Sequence, residues 1–383
     1  MRSSRVAHRK LTAVSMDLKL APVSLWGSTV NAAIDQPDRP ARVPTTPFLA
    51  ADVGGTHARV ALMQASRDGG REVETLAYRQ FACAHFRELA ELLQAFIDSE
   101  VRIPVRHCVL ACAGQLIGDE VLNDNSAWPI HLPSLRRALA LDEVAVLNDF
   151  EALGYALDQA PARGSRLLCG PDIHAEGPTL VIGPGTGLGT ALHLPGPAGG
   201  RVLTSEAGQM DFAPNSLRER ELLARLAPDG GYVAYERIVS GPGLLTVYAT
   251  LCGLQGEAPR LATPEAVTAA ATAGSDTLAV EAVEIFCAAL GSFAGSVAMA
   301  FMSVGGVYLA GGFLSSMFAL LEHSAFERRF LHGRSARAFL SNVPVRVTEH
   351  GRQGVLGAAA WYLRRGISGS AAPGHAVAGG AAP

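Results

Sequence analysis

Two apolar stretches, each interrupted by a short glycine turn, constrain this chain more than any other feature. The segment FLAADVGGTHARVALM (48–63) runs from an apolar strand through Asp52-Val53-Gly54-Gly55-Thr56 into a second strand. The segment TLVIGPGTGLGTALHL (179–194) repeats that plan around Gly183-Pro184-Gly185-Thr186-Gly187-Leu188-Gly189-Thr190. Apolar runs flanking glycine pairs predict β-hairpins. A third glycine turn, Gly311-Gly312, follows the apolar run GGVYLAGGF and leads toward a helix from Ser315 onward. Three such turns spread along one chain suggest a single ligand gripped from several sides. Between them, helical patterns are expected over 86–99, 216–227 and 264–301, the last opened by Thr263 as N-cap with Pro264 in the first turn. Alternating strands and helices favour an α/β architecture over a sandwich or a helical bundle.

Bulk composition then narrows the function. With 383 residues, 49% of them hydrophobic, and 41 glycines, the chain is long enough for two packed, turn-rich domains. A formal net charge of -3 and a pI near 6.4 provide no basic face for nucleic acid or anionic lipid, so small-molecule chemistry is the better starting point. The six cysteines (Cys83, Cys108, Cys112, Cys169, Cys252 and Cys287) stand in apolar runs with no CxxC pair, which predicts reduced, buried thiols and a cytoplasmic location. The greasiest stretch, Ile285 to Phe301, contains Gly291, Ser292, Gly295 and Ser296 and follows an acidic segment; a buried helix is expected there, with no membrane span. Residues 1–46 lack sustained periodicity and are expected to be a flexible extension, in which Met16 is an alternative start. The Gly/Ala/Ser/Pro-rich tail 367–383 is expected to be disordered.

The turns carry residues suited to phosphate and polyol chemistry. In the first, Ala51 to Thr56, glycines let backbone amides approach a phosphate, Thr56 adds a hydroxyl, and Asp52 is placed to hold magnesium through water. An ordinary hairpin with a turn aspartate is the plain alternative. The second turn, around Gly185, Thr186 and Gly187, lacks the lysine of a P-loop and the spacing of a Rossmann turn, which leaves a paired-hairpin phosphate grip or a plain glycine hairpin. The run EVAVLNDFEAL ends an apolar strand in Asn148-Asp149 before a helix. A carboxylate on such a rim can accept a proton from a substrate hydroxyl, although Asn or Asp before a helix often serves as a cap. Glu206 and Gln209 share one turn and Glu236 precedes another; acids and an amide near small residues suit sugar hydroxyls. A surface ion pair, with Arg237 for Glu236, is the alternative. Asn125 is either one more sugar contact or a turn residue.

Taken in order and spacing, ADVGGTHAR, LNDF, GPGTGLGTALHL, SEAGQMDFAPNS, ERIVSGPGL and GGVYLAGGF resemble the bacterial glucokinases of the hexokinase/actin/Hsp70-like superfamily, from about Phe48 to Leu363. The related ROK kinases carry a cysteine-rich zinc motif that has no counterpart here. The resemblance implies a two-domain actin-like ATPase (ribonuclease H-like) α/β fold with glucose in an interdomain cleft. Its small domain would comprise 47–159 plus 351–366, and its large domain 160–350. It further implies Asp149 as general base for the sugar 6-hydroxyl, with Asn148, Glu206 and Glu236 holding the other hydroxyls; Gln209 and Asn125 are the further candidate sugar contacts. Ala51, Asp52, Val53, Gly54, Gly55, Thr56, Gly185, Thr186 and Gly187 would embrace the ATP phosphates, and Gly311 and Gly312 would lie toward the other end of the nucleotide. Asp52 would stand in the outer shell of Mg2+, and relatives suggest a homodimer.

Two positions depart from the family pattern. Gln209 stands where a histidine usually contacts the sugar, and His57 where asparagine is more frequent. Glutamine still donates and accepts hydrogen bonds but cannot carry charge. This substitution keeps open a rival reading as a sugar-sensing protein of altered specificity. An actin-like or chaperone ATPase would share the glycine turns but not the sugar-facing acids.

Overall fold

A computed structural model of the chain describes residues 46–368, apart from 67–71, 123–126, 160–163, 198, 334 and 349–350. The expectations for the two tails, and for Asn125, therefore fall outside the described residues, save for the few tail positions at 46, 367 and 368. Strands β1 (Phe48–Val53), β2 (His57–Ala65), β3 (Val73–Ala82), β4 (His107–Cys112) and β8 (Glu143–Asn148) form a five-stranded sheet in the order β3-β2-β1-β4-β8. A small sheet of β5 (Gln115–Ile117), β6 (Glu120–Leu122) and β7 (Ile130–His131) lies beyond β4 in sequence. A six-stranded sheet joins β9 (Ser165–Cys169), β10 (Thr179–Pro184), β11 (Leu188–Leu194), β12 (Arg201–Ser205), β13 (Gly306–Leu309) and β14 (Val345–Thr348) in the order β12-β11-β10-β13-β14-β9.

Both large sheets follow one plan. An antiparallel three-strand meander (β1–β3, β10–β12) is extended on its first strand by two parallel strands, β4 and β8 or β13 and β14. Both glycine-turn segments are thus hairpins, as their sequences predict.

Helices α1 (Leu89–Glu100), α2 (Leu132–Ala138), α3 (Asp149–Ala156), α4 (Leu217–Leu226), α5 (Gly241–Gln255), α6 (Pro264–Ala273), α7 (Thr277–Ala300), α8 (Gly312–Ser316), α9 (Phe318–Glu322), α10 (Phe326–Phe330), α11 (Arg337–Leu340) and α12 (Gln353–Ser368) cover these sheets. The expected long helix over 264–301 is two. Gly274 ends α6 in the left-handed conformation at φ 63°, and Asp276 caps α7 by accepting from the amides of Leu278 and Ala279 at 2.9 and 3.0 Å. The first predicted helix begins three residues later than its pattern, at Leu89, and the helix after the third glycine turn begins at Gly312. Helix α7 is long and apolar enough to cross a membrane, but 83% of its most hydrophobic window is buried in the fold. All six cysteines are free and buried.

The alternation of β1 shows why its sequence is apolar on both faces. Leu49, Ala51 and Val53 face a core shared with α1 and α2, while Phe48 and Ala50 face a core shared with α12. In the second sheet, Leu180 and Ile182 join the core of α5 and α7, and Val181 and Tyr308 face the opposite way. Helix α3 and the turn after it cover that opposite face with Phe150, Leu153 and Leu157, an i, i+3, i+7 stripe. Its other side brings Ala152 to α12, where a side chain on Gly357 would come within 1.7 Å of the Ala152 carbonyl. One helix therefore serves both sheets.

A polar latch fastens the end of α3 to both neighbours. Asp158 Oδ1 lies 2.9 Å from His193 Nε2 of β11, and Oδ2 lies 2.7 Å from Arg364 of α12. The Gly200 amide also donates to Oδ2, at 3.1 Å. Burial by itself raises the Asp158 carboxyl, but His193 and Arg364 outweigh it and hold it at about 2, below the ordinary 3.8. A depressed carboxylate contributes stability that is present above its unfolded value and lost as pH falls through its folded one. Asp158→Asn is accordingly expected to lower stability by roughly 2–3 kcal/mol at pH 7, since one charge of a largely buried pair is removed. Thermal melting as a function of pH checks this: the gap to wild type narrows as pH falls from 3.8 towards 2.

Candidate active site

Parallel strands carry their carboxyl ends to one edge, and the pairing registers align Asp52 with Ala111, and Val53 with Cys112, and Cys112 with Asn148. Asp52, Cys112 and the Asn148-Asp149 pair thereby meet at the rim of the first sheet, the position where open α/β sheets bind ligands. Asn148 is the cap that the sequence allowed: its Oδ1 accepts from the amides of Phe150 at 2.9 Å and Glu151 at 3.2 Å. The Glu151 carboxyl, next on the same turn, is pushed up to about 7 by burial, against the opposing pull of the Asn148 backbone. Capping consumes the carbonyl oxygen of Asn148 and leaves its NH2 group as donor. Because Asn148 caps, Asp149 is released from that task, although its Oδ1 shares the Phe150 amide at 3.0 Å.

The charges at this rim are uneven. Burial pushes the Asp149 carboxyl up to about 6, the Asp52 carboxylate adds to the rise, and the Phe150 amide opposes it. Burial also raises Asp52, in spite of Arg59 at 3.3 Å. The Cys112 thiol is pushed up to about 12, by burial first and then by Asp149 and Asp52. Asp52 near enough to raise the Asp149 carboxyl, with a single guanidinium paired to it, puts two carboxyls against one cation at this rim, a balance that suits a divalent cation arriving with an anionic ligand. Arg59 is legible once the hairpin register is known, since it pairs directly across from Asp52.

The first turn is open. Gly54, Gly55 and Thr56 are exposed, the Gly54 amide closes the turn on the His57 carbonyl at 3.0 Å, and Cys83 anchors it by donating its amide to Thr56 at 2.9 Å. Ala51 and Val53 are buried in β1 and only support it. The second turn exposes Gly185 and Thr186, and the Gly185 carbonyl accepts from Gly241 at the start of α5 at 2.8 Å. Gly311 and Gly312 lie beside it at the carboxyl end of β13, with Gly311 at φ 119° facing the Pro184 carbonyl.

Phe150, unassigned by the sequence reading, joins the two rims. A side chain on Gly183 would come within 2.8 Å of its ring, and one on Gly189 within 2.0 Å. These two strand glycines thus flank the second turn because an aromatic ring occupies the space of their side chains. The residue next to Asp149 is keyed into the hairpin that carries Gly185 to Gly187.

The polyol-reading candidates gather around Leu188. A side chain on Gly208 would meet the Leu188 carbonyl at 2.2 Å, which seats the Glu206–Gln209 turn against β11. The Leu188 amide donates to Glu236 Oε2 at 2.8 Å, so Glu236 is engaged by the glycine hairpin instead of by Arg237. Segment 210–212 pairs with 233–235 through Phe212 N to Val233 O at 2.7 Å and Tyr235 N to Met210 O at 2.9 Å, which ties the two acids to one ribbon. Glu206 and Gln209 are exposed and Glu236 is half-buried.

The sequence pattern that defines the family described as Glucokinase matches residues 49–365. A glucokinase-like protein of Xylella fastidiosa (strain 9a5c) is 41% identical over 336 residues, covering 88% of this chain and 98% of the relative. The glucokinase of Chromobacterium violaceum is 35% identical over 299 residues, covering 78% of this chain and 84% of its own. Among solved structures, a glucokinase from an Antarctic psychrotroph superposes with a TM-score of 0.71 at 28% identity, covering 82% of this chain and 98% of that one.

The Phe150 contact generates a stability test. Gly189→Ala forces a methyl group into the ring and is expected to cost about 1–3 kcal/mol by overpacking, read as a lowered melting temperature. Adding Phe150→Leu restores part of the loss, because the smaller side chain makes room for the methyl.

Proposed function

Because this chain belongs to the glucokinase family of ATP-dependent hexose kinases, we propose that it transfers the γ-phosphoryl group of ATP to the 6-hydroxyl of glucose, with Asp149 as general base. The observation that carries this reading is the position of Asp149, at the carboxyl edge of three parallel strands and keyed through Phe150 into the second glycine hairpin. Asp149 takes the hydroxyl proton as the sugar oxygen bonds to the γ-phosphorus. The bond from phosphorus to the β–γ bridging oxygen breaks, and ADP departs with that electron pair.

The remaining residues position and neutralise. The turns Gly54 to Thr56 and Gly185 to Gly187 hold the phosphates, while Gly311 and Gly312 border the other end of the nucleotide. Glu206 and Glu236 accept sugar hydroxyls, and Asn148 and Gln209 donate; Asn125 belongs to the same proposed set. Mg2+ entering with ATP would be held through water by Asp52 and would supply charge neutralisation, which fits the carboxylate excess beside it. The proposed cleft lies between a small domain, 47–159 with 351–366, and a large one, 160–350. Its closure excludes water as a competing acceptor. The enzyme is proposed to act in the cytoplasm as a homodimer.

A coupled assay for ADP in the presence of glucose tests the reading. Asp149→Ala is expected to lower kcat by about 10²–10⁴-fold, the ordinary contribution of a positioned base. Wild-type protein that releases no sugar-dependent ADP would overturn the proposal. The kcat/KM of the wild type falls below about pH 6, where protonation removes the base.

The same carboxyl makes a second, thermodynamic prediction. Its folded value lies above the ordinary 3.8, so ionising it opposes folding above about pH 6 and has no such effect below 3.8. Asp149→Asn is expected to melt higher than wild type at pH 7.5 while being inactive, and the advantage disappears as pH is lowered through 6 towards 4. Melting curves at those pH values read it directly.

A further inference from the structure

Resting on the kinase reading, we infer that Tyr232 is a positioning residue for sugar recognition: its hydroxyl anchors Gln209 so that the glutamine amide presents its NH2 group, a donor, to the hexose. Tyr232 is 58% exposed, so packing of its ring does little to hold it and the work of the side chain falls to its hydroxyl. The task is visible. Its Oη donates to the backbone carbonyl of Gln209 and lies 3.2 Å from Gln209 Oε1. One hydroxyl proton is shared between two acceptors of a single residue, which fixes both the backbone and the side chain of Gln209.

The chain around Tyr232 is built to deliver it there. Gly230 and Gly231, at φ 76° and 125°, turn the backbone just before it. Immediately after it, Val233 to Tyr235 pair with Met210 to Phe212. The hydroxyl thus reaches back along the ribbon, from its Phe212–Val233 end to Gln209 at the end that leads on to Glu236. With Oε1 occupied by the tyrosine, both protons of Gln209 Nε2 remain for a ligand.

That polarity matters because the neighbouring candidates cannot supply it. Glu206 and Glu236 are acceptors only, and Glu236 already spends Oε2 on the Leu188 amide. A sugar oxygen that faces them donates its proton to a carboxylate and keeps its lone pairs unsatisfied. A fixed amide NH2 satisfies such a lone pair, and a site built this way rejects an analogue that lacks the oxygen. A glutamine free to rotate would offer either face and read the sugar poorly.

The test is a double-mutant cycle on full-length protein, read as steady-state kinetics with glucose and ATP varied separately. Tyr232→Phe keeps the ring and deletes the hydroxyl. It is expected to raise the KM for glucose about tenfold, the effect of one lost hydrogen bond, with kcat changed less than threefold and the KM for ATP unmoved. Gln209→Ala raises the glucose KM by at least as much. The double variant is no worse than Gln209→Ala, because the tyrosine acts only through the glutamine. Multiplying effects, or a Tyr232→Phe loss that falls on kcat or on the KM for ATP, overturns the inference while leaving the kinase reading intact. A Tyr232→Phe protein with wild-type glucose KM overturns it equally. Gln209→Glu, which turns the donor into an acceptor, is expected to raise the glucose KM beyond Gln209→Ala; a smaller rise counts against the donor role. Wild-type protein without sugar-dependent ADP release removes the parent reading, and this inference with it.

Discussion

The ring of Phe150, seated where Gly183 and Gly189 have no side chains, is the contact on which the rest of the site depends. A general base is useful only if it meets its substrate at the distance that the phosphate donor sets. Here the proposed base and the loop proposed to face the donor come from different sheets, and nothing in either sheet alone fixes their separation. An aromatic ring wedged, partly buried, against two strand glycines does so with little freedom, since close-packed contacts yield discrete arrangements and not a continuum. Positioning of that kind is the larger part of phosphoryl-transfer catalysis, where the protein contributes little covalent chemistry.

Electrostatics at the same rim work against stability and for reactivity. Asp149 and Asp52 stand near enough to raise the Asp149 carboxyl, and burial raises both. Arg59 offsets part of this strain without removing it. The fold tolerates the arrangement because the Asn148 side chain caps the helix, a task that Asp149 need not perform. The capping and proton-accepting readings of the Asn148-Asp149 pair are therefore not rivals: Asn148 does the capping, and Asp149 stays available for the proposed proton transfer.

Much of this was legible in the sequence, and for definable reasons. Both hairpins follow from apolar runs bracketing glycines, and the buried cysteines and helix α7 follow from composition. The break at Gly274 was missed because the apolar pattern continues across it, and only the left-handed geometry of that glycine divides the helices. Phe150, Tyr232 and Gly354 escaped because their roles exist only between segments distant in the chain. Gly354 of α12, for instance, admits Asp52, whose Cγ would lie 2.6 Å from an added side chain. Arg59 was within reach, because the length of the first turn sets the register that places it opposite Asp52. The alternative partner for Glu236, Arg237, was a neighbour in sequence, whereas its observed partner, the Leu188 amide, lies 48 positions away.

Helix α3 gives this architecture a consequence of another kind. The two large sheets repeat one strand order, which invites the view that each half is a self-sufficient folding unit. Yet Val181 and Tyr308 on one sheet are lined by Phe150, Leu153 and Leu157, residues that follow directly from the last strand of the other. Severing the chain after Leu157 would strand that helix with the first half and leave the second with a bare hydrophobic wall, prone to association. The halves share a plan, but the boundary that sequence order suggests is not one along which the molecule can be divided.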